Sequence, residues 1–96
     1  MNNYFGQKIR EARESKDMLL RQLAAFLEVD TALISKIEKG DRKANKIQIG
    51  KISKILELNE RELRILWLAD KIEKVINDDT ENAIDALNLI KENYND

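Results

Sequence analysis

Residues 31–36 place small and hydrogen-bonding side chains where a helix would begin. Thr31, Ala32 and Ser35 are spaced to share one helix face, and Lys36 adds a cation one turn after Ala32. The base edges in the major groove of DNA carry hydrogen-bond donors, acceptors and methyl groups. Side chains of these types contact such edges when the start of a helix enters the groove, so the pattern predicts a base-reading helix.

Cations surround this segment. Residues 31–46 contain five of them, against the two carboxylates of Glu38 and Asp41. The cations are Lys36, Lys39, Arg42, Lys43 and Lys46. Because lysine and arginine bind DNA phosphates and release their counterions, we expect all of these except Lys46, a solvated charge, to contact DNA. Arg21 fits a phosphate contact and a solvated surface arginine equally well.

Two short helices must position these residues. Their apolar positions are Leu23, Ala24 and Leu27 in the first helix and Ile34 and Ile37 in the second. The three- and four-residue spacings are typical of a buried helix face. Residues 28–30 break the pattern between the two helices. We expect Asp30 to cap the second helix by accepting hydrogen bonds from the free amides of its first turn.

Residues 5–63 resemble the DNA-binding domain of the lambda-repressor and Cro type, also called the XRE family. The similarity runs through KIREARESK in the first helix, RQLAAFLEVD in the second helix and turn, and ALISKIEKG in the recognition helix, followed by KISKILEL and NEREL. The resemblance implies an all-α helix-turn-helix fold of four helices and the start of a fifth. It also implies that Arg13 and Glu38 form a structural ion pair between the first helix and the recognition helix.

Three positions depart from the family pattern. Leu20 replaces a glutamine that commonly binds a phosphate. Leu33 stands where a small polar residue is usual, and it could contact a thymine methyl, contribute to a subunit contact or pack against its own domain. Ala44 replaces a proline that often opens the fourth helix, which Asn45 can still cap.

The composition excludes several classes of site. The 96 residues contain no cysteine and no histidine, which removes disulfides, thiolate and imidazole metal ligands, and histidine acid–base catalysis. We therefore expect no metal, no cofactor and no enzymatic activity, and no small-molecule ligand is evident. The adjacent carboxylates of Asp78 and Asp79 are better explained by a helix cap than by catalysis. Without an apolar run that could form a signal peptide or cross a bilayer, we expect a cytoplasmic protein that does not contact a membrane.

The net charge of −1 conceals an uneven distribution. Residues 1–46 hold ten Lys or Arg against seven Asp or Glu, which gives +3, whereas residues 47–96 hold seven against eleven, which gives −4. The basic half therefore coincides with the segment that would bind DNA.

Helical spacing continues to the end of the chain. We predict helices at residues 3–16, 20–27, 31–38, 46–57, 60–77 and 80–93, with Asn59 and Glu62 capping the fifth. The expected core comprises Phe5, Ile9, Ala12, Leu23, Ala24, Leu27, Ile34, Ile37, Ile49, Ile52, Leu56, Leu58 and Leu63. We assign residues 1–63 to the DNA-binding domain and residues 64–96 to a C-terminal helical extension.

The extension has more apolar surface than one helix hides. Its candidate dimerisation residues are Leu66, Trp67, Leu68, Ile72, Val75, Leu87 and Ile90. It could fold back on its own domain as a helical hairpin or pair two protomers. We favour a homodimer, because two recognition helices about 34 Å apart would read both halves of a pseudo-palindromic site. Truncation after Leu63 should then weaken operator binding more than it perturbs the remaining fold.

Together these features predict a sequence-specific transcriptional regulator that binds double-stranded DNA as a dimeric repressor or autoregulator. The resemblance implies a phage-type repressor, a restriction-modification controller or a stand-alone bacterial regulator. The alternative is an antitoxin-like protein, which would bind a partner protein through its C-terminal helices and DNA only for autoregulation.

Overall fold

The computed structural model describes residues 3–95, and within that range the secondary structure is entirely helical. The helices are α1 (Tyr4–Ser15), α2 (Leu20–Leu27), α3 (Thr31–Lys39), α4 (Lys46–Ile55), α5 (Glu60–Asp78) and α6 (Thr80–Tyr94). The predicted all-α fold is confirmed, and every predicted helix boundary lies within two residues of the observed one. None of the helices that the structure describes is long and apolar enough to cross a membrane.

Side chains cap most of the helix starts. Asn45 accepts a hydrogen bond from the Gln48 amide, as predicted, and Asn59 does the same for the Glu62 amide. The prediction that the Asp30 side chain caps α3 is wrong. This residue lies at the start of α3, but its side chain makes no capping hydrogen bond. Asp30 is exposed, so water competes for its carboxylate.

The core lies between the first four helices and the first half of α5. Its buried apolar residues are Phe5, Ile9, Leu23, Ala24, Leu27, Ile34, Ile37, Ala44, Ile49, Ile52, Leu56, Leu63 and Trp67. Ala12 and Leu58, which were expected in the core, are only partly buried against it. Ala44 and Trp67 are core residues that the sequence did not predict.

The fifth helix continues through the predicted domain boundary and remains attached to the domain beyond it. The Trp67 indole Nε1 donates a hydrogen bond of 2.8 Å to the Ala44 carbonyl oxygen. The Asp70 carboxylate accepts hydrogen bonds from the amides of Tyr4 (2.8 Å) and Phe5 (3.1 Å) at the start of α1. The packed unit thus extends to Asp70. Because the chain's own core encloses its ring, Trp67 is corrected from a dimerisation residue to a core residue.

The last helix has a different environment. It packs against α5, and none of its residues is buried. The radius of gyration is 15.3 Å, compared with about 12.5 Å for a compact domain of this length. The α5–α6 end therefore projects from the domain and leaves much of its apolar surface exposed.

Candidate nucleic-acid interface

The turn between α2 and α3 sets the direction of the recognition helix. Glu28 ends α2 in the left-handed region (φ 58°), and its amide donates to the Ala25 carbonyl at 3.1 Å. The next amide, of Val29, donates to the Ala24 carbonyl at 3.0 Å. These bonds satisfy the last carbonyls of α2 while the chain reverses. The half-buried Val29 side chain then fixes the turn against the core.

The third helix buries one side and exposes the other. Ile34 and Ile37 are 1% and 2% exposed. On the opposite side, the structure leaves Thr31, Ala32 and Lys36 exposed and Ser35 partly exposed. Leu33 is partly buried against the core. Among the three interpretations left open for Leu33, the structure therefore favours packing against its own domain.

Arg13 and Glu38 meet in the interior of the domain. The guanidinium donates from Nε to Glu38 Oε2 at 2.8 Å and from Nη2 to Oε1 at 3.1 Å. A third hydrogen bond, of 2.7 Å, joins Nη1 to the Met18 carbonyl. The side chains are 11% and 5% exposed, so little water reaches the pair. The hydrogen bond with Glu38 raises the pKa of Arg13 above its usual value, because it favours the charged form of the guanidinium.

A second connection between α1 and α3 was not predicted. Asn3 Oδ1 accepts the Gly6 amide at 3.2 Å and so caps α1. Asn3 Nδ2 donates to the Glu38 carbonyl at 2.7 Å, at the last turn of α3. An asparagine just before an apolar helix face, which here begins at Phe5, is a sequence signal for the cap. The contact with Glu38 depends on tertiary packing and leaves no such signal.

The segment after α3, residues 40–45, forms what we call the basic loop. It begins at Gly40, whose φ of 85° lies in the left-handed region that glycine adopts without strain. The amides of Asp41 and Arg42 donate to the Lys36 carbonyl at 2.8 and 3.3 Å. At the other end of the loop, Ala44 is buried and held by Trp67. Arg42 and Lys43 are thus exposed on a loop anchored at both ends.

The cations at this surface are not neutralised by ion pairs within residues 3–95. Among the described residues, no ion pair involves any of the cations predicted to contact DNA, all of which are exposed. These are Arg21, Lys36, Lys39, Arg42 and Lys43. Arg13 occupies the carboxylate of Glu38, which therefore does not oppose a phosphate at this surface. The sequence-predicted contacts on α3 and the basic loop form one continuous stretch of chain, whereas Arg21 lies separately in the first turn of α2.

Leu20 occupies the position where the family commonly has a glutamine, and it packs partly against the core. A glutamine does lie in the first turn of α2, at position 22. Its Oε1 accepts a hydrogen bond of 2.8 Å from the Leu19 amide. This contact within the first turn of α2 was not predicted from the sequence. No group of three or more acidic side chains within residues 3–95 is arranged to hold a metal ion.

Comparisons with known proteins agree with this geometry. A family model described as helix-turn-helix matches residues 9–63. Among solved structures, the restriction-modification controller protein C.AhdI from Aeromonas hydrophila is similar at 32% sequence identity, with a TM-score of 0.58. The similarity covers 62% of this chain and 91% of the controller protein. A search of curated proteins found no match. The chain belongs to the helix-turn-helix family, of the XRE, or lambda-repressor and Cro, type.

Proposed function

We propose that this chain, a DNA-binding transcriptional regulator, acts as a homodimeric repressor or autoregulator on a pseudo-palindromic operator. The family assignment points to a regulator and not to an enzyme. The observation that carries the DNA interface is the exposed face of α3, which continues into a basic loop without ion-pair partners among the described residues. This arrangement combines base-reading side chains with phosphate ligands.

In this proposal the start of α3 enters the major groove. Thr31, Ala32 and Ser35 contact base edges, and Lys36 lies beside them on the next turn. The basic loop contacts the phosphate backbone, where its cations displace counterions. Arg21 supplies a phosphate contact from α2. The buried Arg13–Glu38 pair contacts no DNA and holds α3 in the orientation that the groove requires.

The dimer is supported by apolar surface that α5 and α6 do not bury against each other. Several of their aliphatic side chains remain about half exposed or more. On α5 these are Ile65, Leu68, Ile72 and Val75, and on α6 they include Ile84, Leu89 and Ile90. Leu66 and Leu87, also predicted for the dimer, are partly buried. A second copy of the chain would remove it from water, and a two-fold axis would present two recognition helices to one DNA face.

Among the regulator roles that the resemblance implies, the comparison favours that of a restriction-modification controller. The similar protein is a restriction-modification controller, and this chain spans nearly all of it. More than a third of this chain lies outside the aligned region. A partner protein that covers the apolar surface of α5 and α6 is the antitoxin-like alternative.

Selection of bound duplexes from a random-sequence pool tests the proposal. We expect enrichment of a pseudo-palindrome with half-sites one helical turn apart, and protection of both half-sites in a footprint. Failure to enrich any sequence would contradict the assignment as a sequence-specific regulator. Enrichment of a single half-site bound by one protomer would contradict only the dimer.

A further inference from the structure

A cavity of about 400 Å³ lies between the basic loop and the middle of α5. Four cations line it: Lys39, Arg42, Lys43 and Lys74. The first three belong to the proposed DNA interface. Lys74 comes from α5 and lies beyond residue 63, where the match to the helix-turn-helix family ends. The fold therefore brings a lysine of the extension to the same cavity as the phosphate ligands.

The cavity carries net positive charge. Two carboxylates, those of Asp41 and Asp70, line it together with the four cations. Asp70 is already hydrogen-bonded to the first two amides of α1, at 2.8 and 3.1 Å, and the helix dipole at that end stabilises its charge. Among the described residues, Lys74 has no ion-pair partner. An anion in the cavity would thus meet an excess of positive charge.

The position of Lys74 follows from how α5 is anchored. Trp67 fixes the helix through its hydrogen bond to Ala44 in the basic loop, and Lys71 Nζ lies 3.5 Å from the centre of the indole ring. Positions 67, 71 and 74 follow the four- and three-residue spacing of one helix face, so this face points toward the loop. Residues 64–96 contain only four Lys or Arg against eight Asp or Glu. Two of those four cations lie on this face.

We propose that Lys74 binds a DNA phosphate together with the basic loop, so that the DNA interface continues onto α5. The inference rests on the proposed function, because Arg42 and Lys43 of the cavity belong to the basic loop, which that proposal places on the DNA backbone. A phosphodiester bound here would be contacted from two elements that are far apart in sequence. The extension would then contribute directly to DNA affinity, in addition to any role in pairing protomers.

The salt dependence of DNA affinity tests this contact. Each phosphate contact contributes a slope of about −0.9 in log affinity against log salt, which corresponds to roughly 3.5-fold in affinity between 50 and 200 mM salt. Lys74→Ala should reduce the magnitude of the slope by about 0.9, and Lys74→Arg should retain the slope of the intact protein. Lys8→Ala is the matched control, because Lys8 lines other cavities, with Glu57 and Leu58. It should leave the slope unchanged.

Methylphosphonate substitution of single phosphates in the selected duplex locates the contact. The intact protein should lose affinity when one particular phosphate is neutralised, and Lys74→Ala should be insensitive at that same phosphate. An unchanged slope for Lys74→Ala, alongside a reduced slope for Arg42→Ala, would overturn this inference and leave the proposed function intact. Salt-independent binding by the intact protein would overturn both.

Discussion

At the scale of single residues, Glu38 connects the two helices that must stay in register. Its carboxylate is bound by Arg13, and its backbone carbonyl is bound by Asn3. Both partners approach from the α1 side of α3. Glu38 lies at the C-terminal end of α3, so these bonds fix one end of the recognition helix while the other end stays exposed. Stability and orientation of the recognition helix therefore depend on the same few atoms.

Removal of either charge of this pair should destabilise the fold. Glu38→Ala leaves the guanidinium of Arg13 buried without its partner, and such a loss costs roughly 3 kcal/mol of unfolding free energy. Arg10→Ala is the matched control, because its pair with Glu14 is 64% and 55% exposed and contributes less than about 1 kcal/mol. Urea denaturation measures both. Equal stability of Glu38→Ala and the intact chain would show that the Arg13–Glu38 pair does not stabilise the fold.

The cations near α3 should divide into two functional groups. Arg42→Ala and Lys43→Ala each remove a backbone contact, so we expect weaker binding to every sequence and a salt slope reduced by about 0.9. Lys36→Ala should instead change the sequence preference, because Lys36 lies on the base-reading face of α3. Competition titrations against operator and unrelated duplexes at several salt concentrations separate the two effects. Unchanged salt dependence in both loop variants would exclude the basic loop from the interface.

At the scale of elements, the contact between α1 and α3 requires a glycine. A Cβ at Gly6 would lie 2.7 Å from the Ile37 carbonyl oxygen and closer still to Glu38 O and Asn3 Nδ2. Gly6→Ala should therefore push α1 away from the end of α3, at a cost of about 1–3 kcal/mol. The matched control is Gly50→Ala, where the nearest atom is the end of the flexible Glu60 side chain, at 3.3 Å.

Thermal denaturation compares the two glycine variants. Replacement of a glycine inside a helix gains up to about 1 kcal/mol from helix propensity, so Gly50→Ala should be at least as stable as the intact chain. Gly6→Ala should melt at a lower temperature and bind the operator more weakly. If the two variants melted alike, close packing of α1 on α3 would not limit stability.

Sequence patterns were sufficient for the helices and most of the core, because apolar spacing reports directly which side of a helix is buried. They were insufficient where the same residue type occurs both in protein cores and at interfaces. Trp67 fits an exposed dimer surface or a core, and only the position of the Ala44 carbonyl decides between them. The bonds from the start of α1 to Asp70 form only because the fold places α1 and α5 side by side. The exposed face of α3 was predictable, whereas the bond from Asn3 to the Glu38 carbonyl and the approach of Lys74 depend on tertiary packing.

At the scale of the whole molecule, the anchoring of α5 determines which C-terminal truncations leave the DNA-binding domain folded. Truncation after Leu63 removes both Trp67 and Asp70, which hold the basic loop and the start of α1. Such a variant would lose core contacts as well as the proposed dimer surface. Removal of residues 79–96 deletes only α6, which has no buried residue. This shorter truncation should preserve the fold and still weaken operator binding.

The homodimer itself is best tested by charges placed on its proposed surface. Leu68 and Ile72 are 48% and 47% exposed on α5, so Leu68→Glu with Ile72→Glu should leave the monomer folded and separate the protomers. Sedimentation should show a dimer for the intact chain and a monomer for this variant. The variant should lose 10²–10⁴-fold in operator affinity, roughly the advantage of binding two linked half-sites.

A matched control places the same charge on a different exposed isoleucine. Ile47 on α4 is 73% exposed and lies outside the α5–α6 surface, so Ile47→Glu should sediment as a dimer. Dissociation of the Ile47 variant would move the interface to the DNA-binding domain. Sedimentation of the intact chain as a monomer at tens of micromolar, with unchanged operator affinity in the double variant, would show that one protomer reads the site. In that case the apolar face of α5 and α6 would require a different partner.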